Sequence, residues 1–226
     1  MPYPHVWKKL KRGPQVIALK DAAAIVAHTS MQHGNTVVDA GSGSGFLAVY
    51  MGNVVGPDGK VVSYERRADF AKLAKSNVEI AGLQNVVQIK EKDVFKGIDE
   101  TEVDVVTLDL ADAENALSHA KKAVKENGFI VGYFPTIEQA QRFVMEAEKL
   151  KLKFLEAVEV QEREWKIREY GSRPEHFGMQ FTALLVILKN MRENVFERER
   201  NALQFTKKGR REQRIKKSLK RIQESR

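Results

Sequence analysis

A glycine loop caught between a strand and a helix constrains this chain more than any other feature. Val37-Val-Asp-Ala-Gly41-Ser-Gly43-Ser-Gly45 follows a β-branched run at 36–39 and opens a helical stretch at 46–55. That order, strand then glycines then helix, is the setting of a nucleotide-type ligand loop. Glycines let the backbone turn tightly and let a ligand approach without side chains in the way. The alternation continues along the chain. Further strands are expected at 60–65, 86–89, 103–110 and 129–134. Helices are expected from about Asp21, at 69–80, and at 113–124, the last closed by Asn127-Gly128 as a C-cap. Another helix opens at Thr136, with Thr136 and Gln139 as a capping box and Ile137, Ala140, Val144, Ala147 and Leu150 as its buried stripe. Strands at 154–160 and 181–188 have no helix between them, so they can pair antiparallel at a sheet edge. The pattern predicts an α/β fold, a doubly wound, mostly parallel seven-stranded sheet of Rossmann-like type with helices on both faces.

Two observations favour S-adenosylmethionine over a dinucleotide as the ligand. The glycines run G-x-G-x-G, and an acid, Asp39, stands two residues before the first. A carboxylate there would repel a pyrophosphate but suits an ammonium and a sulfonium. Glu65 ends the second strand, where a carboxylate can accept both ribose hydroxyls. Asp93 follows the third strand, placed for the adenine amino group. Each of the three acids could instead cap a helix or end a strand in solvent. Three carboxylates at successive strand ends beside one glycine loop favour the ligand reading. The expected cofactor contacts are Asp39, Gly41, Ser42, Gly43, Ser44, Gly45, Phe46, Glu65, Arg66, Asp93, Val94 and Asp109.

Composition removes several chemistries. The 226 residues contain no cysteine, which excludes disulfides, Cys-ligated zinc and a nucleophilic thiol. The histidines show no metal spacing, so no metal is expected. No signal-peptide core and no run of 18 apolar residues occurs, so a cytoplasmic protein without a membrane span is expected. The net charge of +8 sits in one place. Residues 207–226 hold ten Lys or Arg against two Glu, and the rest of the chain is neutral. Ile215, Leu219 and Ile222 fall on one helical stripe of that tail. A basic C-terminal helix of this kind suits a polyanion, nucleic acid first and an anionic membrane surface second, and a partner subunit is the other reading. Expected RNA contacts are Lys207, Lys208, Arg210, Arg211, Arg214, Lys216, Lys217 and Arg173. The boundaries implied are an N-terminal segment at 1–20, a methyltransferase domain at 21–190 and the basic extension at 191–226.

Residues from about 11 to 189 resemble the tRNA adenine methyltransferases that make 1-methyladenosine. The matching stretches are Gln15-Val-Ile-Ala-Leu-Lys20-Asp21, the loop from Asp39 to Gly45, Val61-Val-Ser-Tyr-Glu65 and Lys92-Asp93-Val-Phe95. Asp104-Val-Val-Thr-Leu-Asp109-Leu, Phe134-Pro-Thr136-Ile-Glu-Gln139 and Arg173-Pro174-Glu-His176 follow. The resemblance implies S-adenosylmethionine as methyl donor, tRNA as partner and a homo-oligomer, dimer or tetramer. Departures are also visible. The family carries a small N-terminal β domain that this chain starts too late to hold. The family's Leu-Asp-Leu-Pro-x-Pro-Trp motif reads here Leu108-Asp109-Leu110-Ala111-Asp112-Ala113-Glu114, with both prolines and the tryptophan gone. Phe181 stands where the family tends to have a histidine.

Methyl transfer from a sulfonium is an in-line displacement whose main demand is positioning. An adenine ring nitrogen has a free lone pair, and the base becomes cationic as it reacts. A carboxylate such as Asp109 would stabilise that charge and take up the amino proton. Asp109 is therefore the expected catalytic residue, its plainer alternative being a cap or a loop-amide acceptor. Trp165 and Tyr170, among charges that include Arg163 and Arg168, could stack on an unpaired base or form a protein contact. Three functions stay open: a tRNA adenine methyltransferase, a non-catalytic S-adenosylmethionine-binding subunit, and a methyltransferase acting on another RNA, a protein or a small molecule.

Overall fold

A computed structural model describes residues 6–13, 16–175 and 181–192. The backbone divides after Asn190 into two units, and the described fold is that of the first. Helix α1 (Leu19–Thr29) leads to β1 (Thr36–Ala40), α2 (Phe46–Val55), β2 (Lys60–Glu65), α3 (Ala68–Ala81) and β3 (Val87–Glu91). Then come β4 (Val103–Leu108), α4 (Leu117–Ala123), β5 (Val124–Phe134), α5 (Ile137–Lys149) and β6 (Lys153–Val158). Two short strands, β7 (Trp165–Lys166) and β8 (Arg173–Pro174), pair with each other, and β9 (Leu184–Lys189) closes the main sheet. Among the described residues no helix is long and apolar enough to cross a membrane.

The seven strands lie in the order β3-β2-β1-β4-β5-β9-β6. β1 to β5 pair in parallel, and β9 runs antiparallel to both β5 and β6. Strand order reverses between β1 and β4, the point at which open α/β sheets hold their ligands. Period-two alternation divides each strand between two cores. Val37, Val61, Val105, Val131 and Ile187 pack with α1, α2 and α3, while Val38, Val62, Val106, Ile130 and Val186 pack with α4 and α5.

Two expectations are corrected. The helix expected at 113–124 is a 3₁₀ turn at Ala113–Ala116 followed by the seven-residue α4. Asn127-Gly128 does not cap it. Val124 is already extended and pairs with Val103, so the two residues lie within β5. Asn127 takes φ 63°, and its N–H donates to the Asn190 carbonyl at 2.7 Å, closing an irregularity in the ladder.

Second, the stripe of α5 is rotated. Ala140, Phe143 and Ala147 are its buried residues, whereas Ile137 is 67% exposed and Val144 and Leu150 are half-buried. Phe143 wins the inward position because its ring meets Phe134 at 4.9 Å. The last two strands of the sheet pair antiparallel at its edge, as expected. β9 inserts between β5 and β6, because the continuous apolar run Leu185–Leu188 suits burial on both faces.

The rotated stripe makes a stability prediction. Phe143→Ala should cost about 3–5 kcal/mol by opening a core cavity, while Ile137→Ala should change stability by less than about 0.5 kcal/mol. Urea unfolding of the two variants measures both; equal losses would contradict the assignment.

Candidate active site

A cleft of about 670 Å³ opens over the carboxyl ends of the central strands. Ligand pockets usually span roughly 300–1,000 Å³. Its floor is the glycine loop. Gly41 has φ +89°, and a Cβ there would stand 2.3 Å from the Asp109 carbonyl oxygen, so neither backbone nor space admits a side chain. Gly45 has φ +79° and leaves a Cβ-sized gap of only 3.0 Å to Ala74 of α3. Gly43, by contrast, meets nothing closer than 3.9 Å and leaves the cleft open above it.

The loop is pinned from every side. Gly41 and Ser42 N–H both donate to the Tyr64 carbonyl at 3.1 Å. The Gly43 N–H donates to Glu65 Oε2 at 3.0 Å. Asn77, fully buried on α3, donates its amide to the Ser44 carbonyl at 2.8 Å.

Asp39 lies beneath the loop, 1% exposed, and does not reach the cleft. It stands in register with Ser63 on β2 and Thr107 on β4. Thr107 Oγ1 donates to one carboxylate oxygen at 2.6 Å and Ser63 Oγ to the other at 2.5 Å. Ser63 in turn hydrogen-bonds Ser42 Oγ, so the acid holds the loop through two hydroxyls. Burial pushes the Asp39 carboxyl above its usual range, and the two hydroxyl bonds pull the other way.

Glu65 is 6% exposed and lines the cleft. Its oxygens accept from Gly43 N–H and from Arg67 N–H at 3.0 Å each. A carboxylate oxygen that accepts one such bond keeps capacity for another donor. Asp93 also lines the cleft while capping the 3₁₀ turn Val94–Lys96, where it accepts from Phe95 N–H at 3.1 Å. Gly41, Ser42, Gly43, Ser44, Phe46, Arg66, Val94 and Asp109 are brought together around the same cleft. This donor set, acidic carboxylates and open backbone without a basic side chain in the loop, fits a cationic nucleoside better than a diphosphate.

Asp109 sits one residue past β4, its N–H donating to the Ala40 carbonyl at 2.9 Å. Among the described residues nothing hydrogen-bonds to its carboxylate. Burial first, and the nearby Asp39 second, push it up to about 7. Across the cleft stands a group that sequence reading missed. Asp21, fully buried, accepts from Lys20 at 2.7 Å, from Tyr133 Oη at 3.2 Å and from Thr182 Oγ1 at 2.5 Å. Lys20 also donates to the Val160 carbonyl at 2.6 Å. This joins α1, β5 and the two segments flanking the β7–β8 hairpin. Tyr133 and Thr182 line the cleft, and burial together with Asp21 and Asp109 raises the Tyr133 phenol. The adjacency of Lys20 and Asp21 was visible in sequence; the partners come from β5 and from loop residues Val160 and Thr182, over a hundred residues away.

The altered loop after Asp109 is held from α5. Thr136 caps that helix, accepting from Gln139 N–H at 3.4 Å. The Gln139 side chain does not complete a reciprocal box: its amide donates to the Ala111 carbonyl at 3.2 Å. Arg142 Nε donates to Glu114 at 2.8 Å. The first contact falls at Ala111, where the resemblance puts a proline, and the second at Glu114, where it puts the tryptophan.

Some expected residues lie elsewhere. Gly45 is packed under the loop, and Arg173 is exposed in the β7–β8 hairpin, away from the cleft lining. Trp165 and Tyr170 are 60% and 85% exposed. His176 and the tail cations Lys207, Lys208, Arg210, Arg211, Arg214, Lys216 and Lys217 lie outside the described residues.

Comparison with known proteins agrees with this geometry. Residues 1–224 match the family described as tRNA methyltransferase complex GCD14 subunit. The chain is 38% identical over 196 residues to tRNA (adenine(57)-N(1)/adenine(58)-N(1))-methyltransferase TrmI of Methanocaldococcus jannaschii, covering 75% of this chain and 69% of that protein. A SAM-dependent O-methyltransferase structure from Thermotoga maritima superposes with a TM-score of 0.78 at 31% identity, over 82% of this chain and 69% of the other. The tRNA (m1A58) methyltransferase TrmI structure from Aquifex aeolicus gives 0.75 at 25% identity, over 83% and 74%.

The raised Asp109 has a consequence for stability. Its folded value, about 7, exceeds the ordinary 3.8, so the fold keeps a proton that the unfolded chain releases. Stability from this group is therefore fully present below about pH 4 and is lost as pH rises towards 7. Asp109→Asn, which cannot ionise, should match the parent Tm near pH 4 and exceed it at pH 8. Thermal unfolding at both pH values measures this; a variant less stable at pH 8 would contradict it.

Proposed function

The chain belongs to the family of tRNA methyltransferase complex GCD14 subunits, and on that premise we propose that it transfers the methyl group of S-adenosylmethionine to the N1 ring nitrogen of an adenine in tRNA. The observation that carries this reading is the unpartnered Asp109 carboxylate, set in the cleft beside the glycine loop.

Bound S-adenosylmethionine supplies a methyl group already activated on a sulfonium. The backbone of Gly41, Ser42, Gly43 and Ser44 would hold its charged end, and Glu65 would accept from its ribose hydroxyls. Asp93 would accept from the adenine amino group, and Phe46, Arg66 and Val94 would complete that wall. Asp39 acts at one remove, by fixing Ser63 and so Ser42.

On the acceptor side no base is needed before attack, since N1 carries its own lone pair. The adenine becomes cationic as the N–C bond forms. Asp109 stabilises that charge and accepts a proton from the exocyclic amino group, which restores neutrality. A carboxyl raised to about 7 releases such a proton readily near neutral pH. Asp21, through Tyr133 and Thr182, shapes the facing wall. Ten cations at 207–226 supply charge for RNA phosphates. Work on tRNA fits a cytosolic enzyme. Exposed Phe154 and Leu155 on the edge strand β6 give apolar surface for a homo-oligomer, a dimer or tetramer.

The test is incubation with labelled S-adenosylmethionine and unmodified tRNA, followed by digestion and identification of the labelled nucleoside. The expected product is 1-methyladenosine, reduced at least about a hundredfold in Asp109→Ala. Cofactor binding without label in RNA would overturn the adenine reading in favour of another acceptor.

A further inference from the structure

Ahead of the first helix, residues 6–13 read Val6-Trp-Lys8-Lys9-Leu10-Lys11-Arg12-Gly13, four cations with no carboxylate among them. The segment is sorted by side. Val6 and Leu10, one turn apart, are 1% and 6% exposed, while Lys8, Lys9, Lys11 and Arg12 face solvent. A turn closed by the Lys9 N–H on the Val6 carbonyl, at 2.8 Å, sets this division.

Specific contacts hold it in place. Trp7 stands edge-on to Phe46 of α2, ring centroids 4.7 Å apart. The buried Asn77 amide accepts from Lys11 N–H at 2.8 Å and donates to the Lys11 carbonyl at 2.9 Å. The same amide donates to Ser44 of the glycine loop, so one side chain registers the cationic segment against the cleft floor. Gly13 leaves a Cβ-sized gap of only 3.3 Å to Leu73 and 3.4 Å to Ser44. The Lys11 ammonium reaches Ser76 Oγ at 3.2 Å. Lys72, one turn before Ser76, and Lys75 beside it extend the exposed cations along α3.

Four like charges in five residues repel one another and ordinarily stay solvated and unfixed. Here buried apolar anchors and a buried amide order the backbone that carries them, so the cations stand in one place before any ligand arrives and less ordering cost remains at binding. The outward side offers no apolar residue to insert into a lipid surface, since Val6 and Leu10 point into the core. We infer that this segment is a pre-ordered arm that grips the sugar-phosphate backbone of the substrate RNA beside the cleft, an inference that rests on the tRNA reading and adds a second, independent set of phosphate contacts.

The test uses the full chain and the triple variant Lys8→Glu, Lys9→Glu, Arg12→Glu. Lys11 is kept because it ties the arm to α3. Binding of total tRNA is measured by fluorescence anisotropy from 50 to 200 mM salt, with S-adenosylmethionine affinity and circular dichroism as controls for folding. Each lost phosphate contact removes about 0.7–0.9 from the slope of log affinity against log salt. The variant should therefore bind at least about tenfold more weakly at low salt, with a slope shallower by about 2. Should the charge reversal unfold the chain, Lys8→Ala with Lys9→Ala is expected to lower the slope by about 1.5. A folded variant with parental affinity and slope overturns the arm. Methylation by the unmodified chain is scored separately: RNA gripped through the arm but unmethylated leaves the arm standing and removes the tRNA adenine reading.

Discussion

A carboxylate buried beneath the cleft underlies the site. Asp39 takes one hydroxyl from each neighbouring strand, β2 and β4, and its own strand β1 borders the reversal of the sheet. A buried acid without partners would be strongly destabilising, so Ser63 and Thr107 are as necessary as the acid itself. Through Ser63 the bond reaches Ser42, and Glu65 and Asn77 hold the next two residues of the loop. The glycines are thus shaped before anything binds, and affinity is not spent on ordering them.

Asp109 depends on the same arrangement. Gly41 lies against its carbonyl with no room for a methyl group, which places the acid at the cleft wall. Asp39 then acts on it through space, raising its carboxyl together with burial. One acid is closed off by hydroxyls and the other is left open, and this difference in environment separates a scaffold from the proton acceptor we propose.

Most of the fold was legible because its signals are local. Strand and helix periods, the glycine loop and the acids at strand ends needed no distant partner to be recognised. What was hidden depended on tertiary contacts. Asn77 is in sequence one polar position within the helix expected at 69–80, and only the folded chain gives it the Lys11 and Ser44 backbones. Ile137 suited the α5 stripe by spacing, but the Phe134 ring decided for Phe143. Asn127-Gly128 carried a helix-cap signature that strand pairing at Val124 overrode. Asp39, expected to face the ligand, was read from its neighbourhood in sequence, whereas its register with Ser63 and Thr107 turns it into the sheet.

We propose the cleft over β1, β2 and β4 as the methyl-donor site, organised by Glu65 and the glycine loop. The most direct measurement is a crystal structure of the chain with S-adenosylhomocysteine, the demethylated product. Ribose hydroxyls should lie within hydrogen-bonding distance of the Glu65 carboxylate, with the amino acid end against residues 41–44 and Asp39 unchanged beneath them. Ligand density away from Glu65, or an Asp39 carboxylate in direct contact with the ligand, would contradict it.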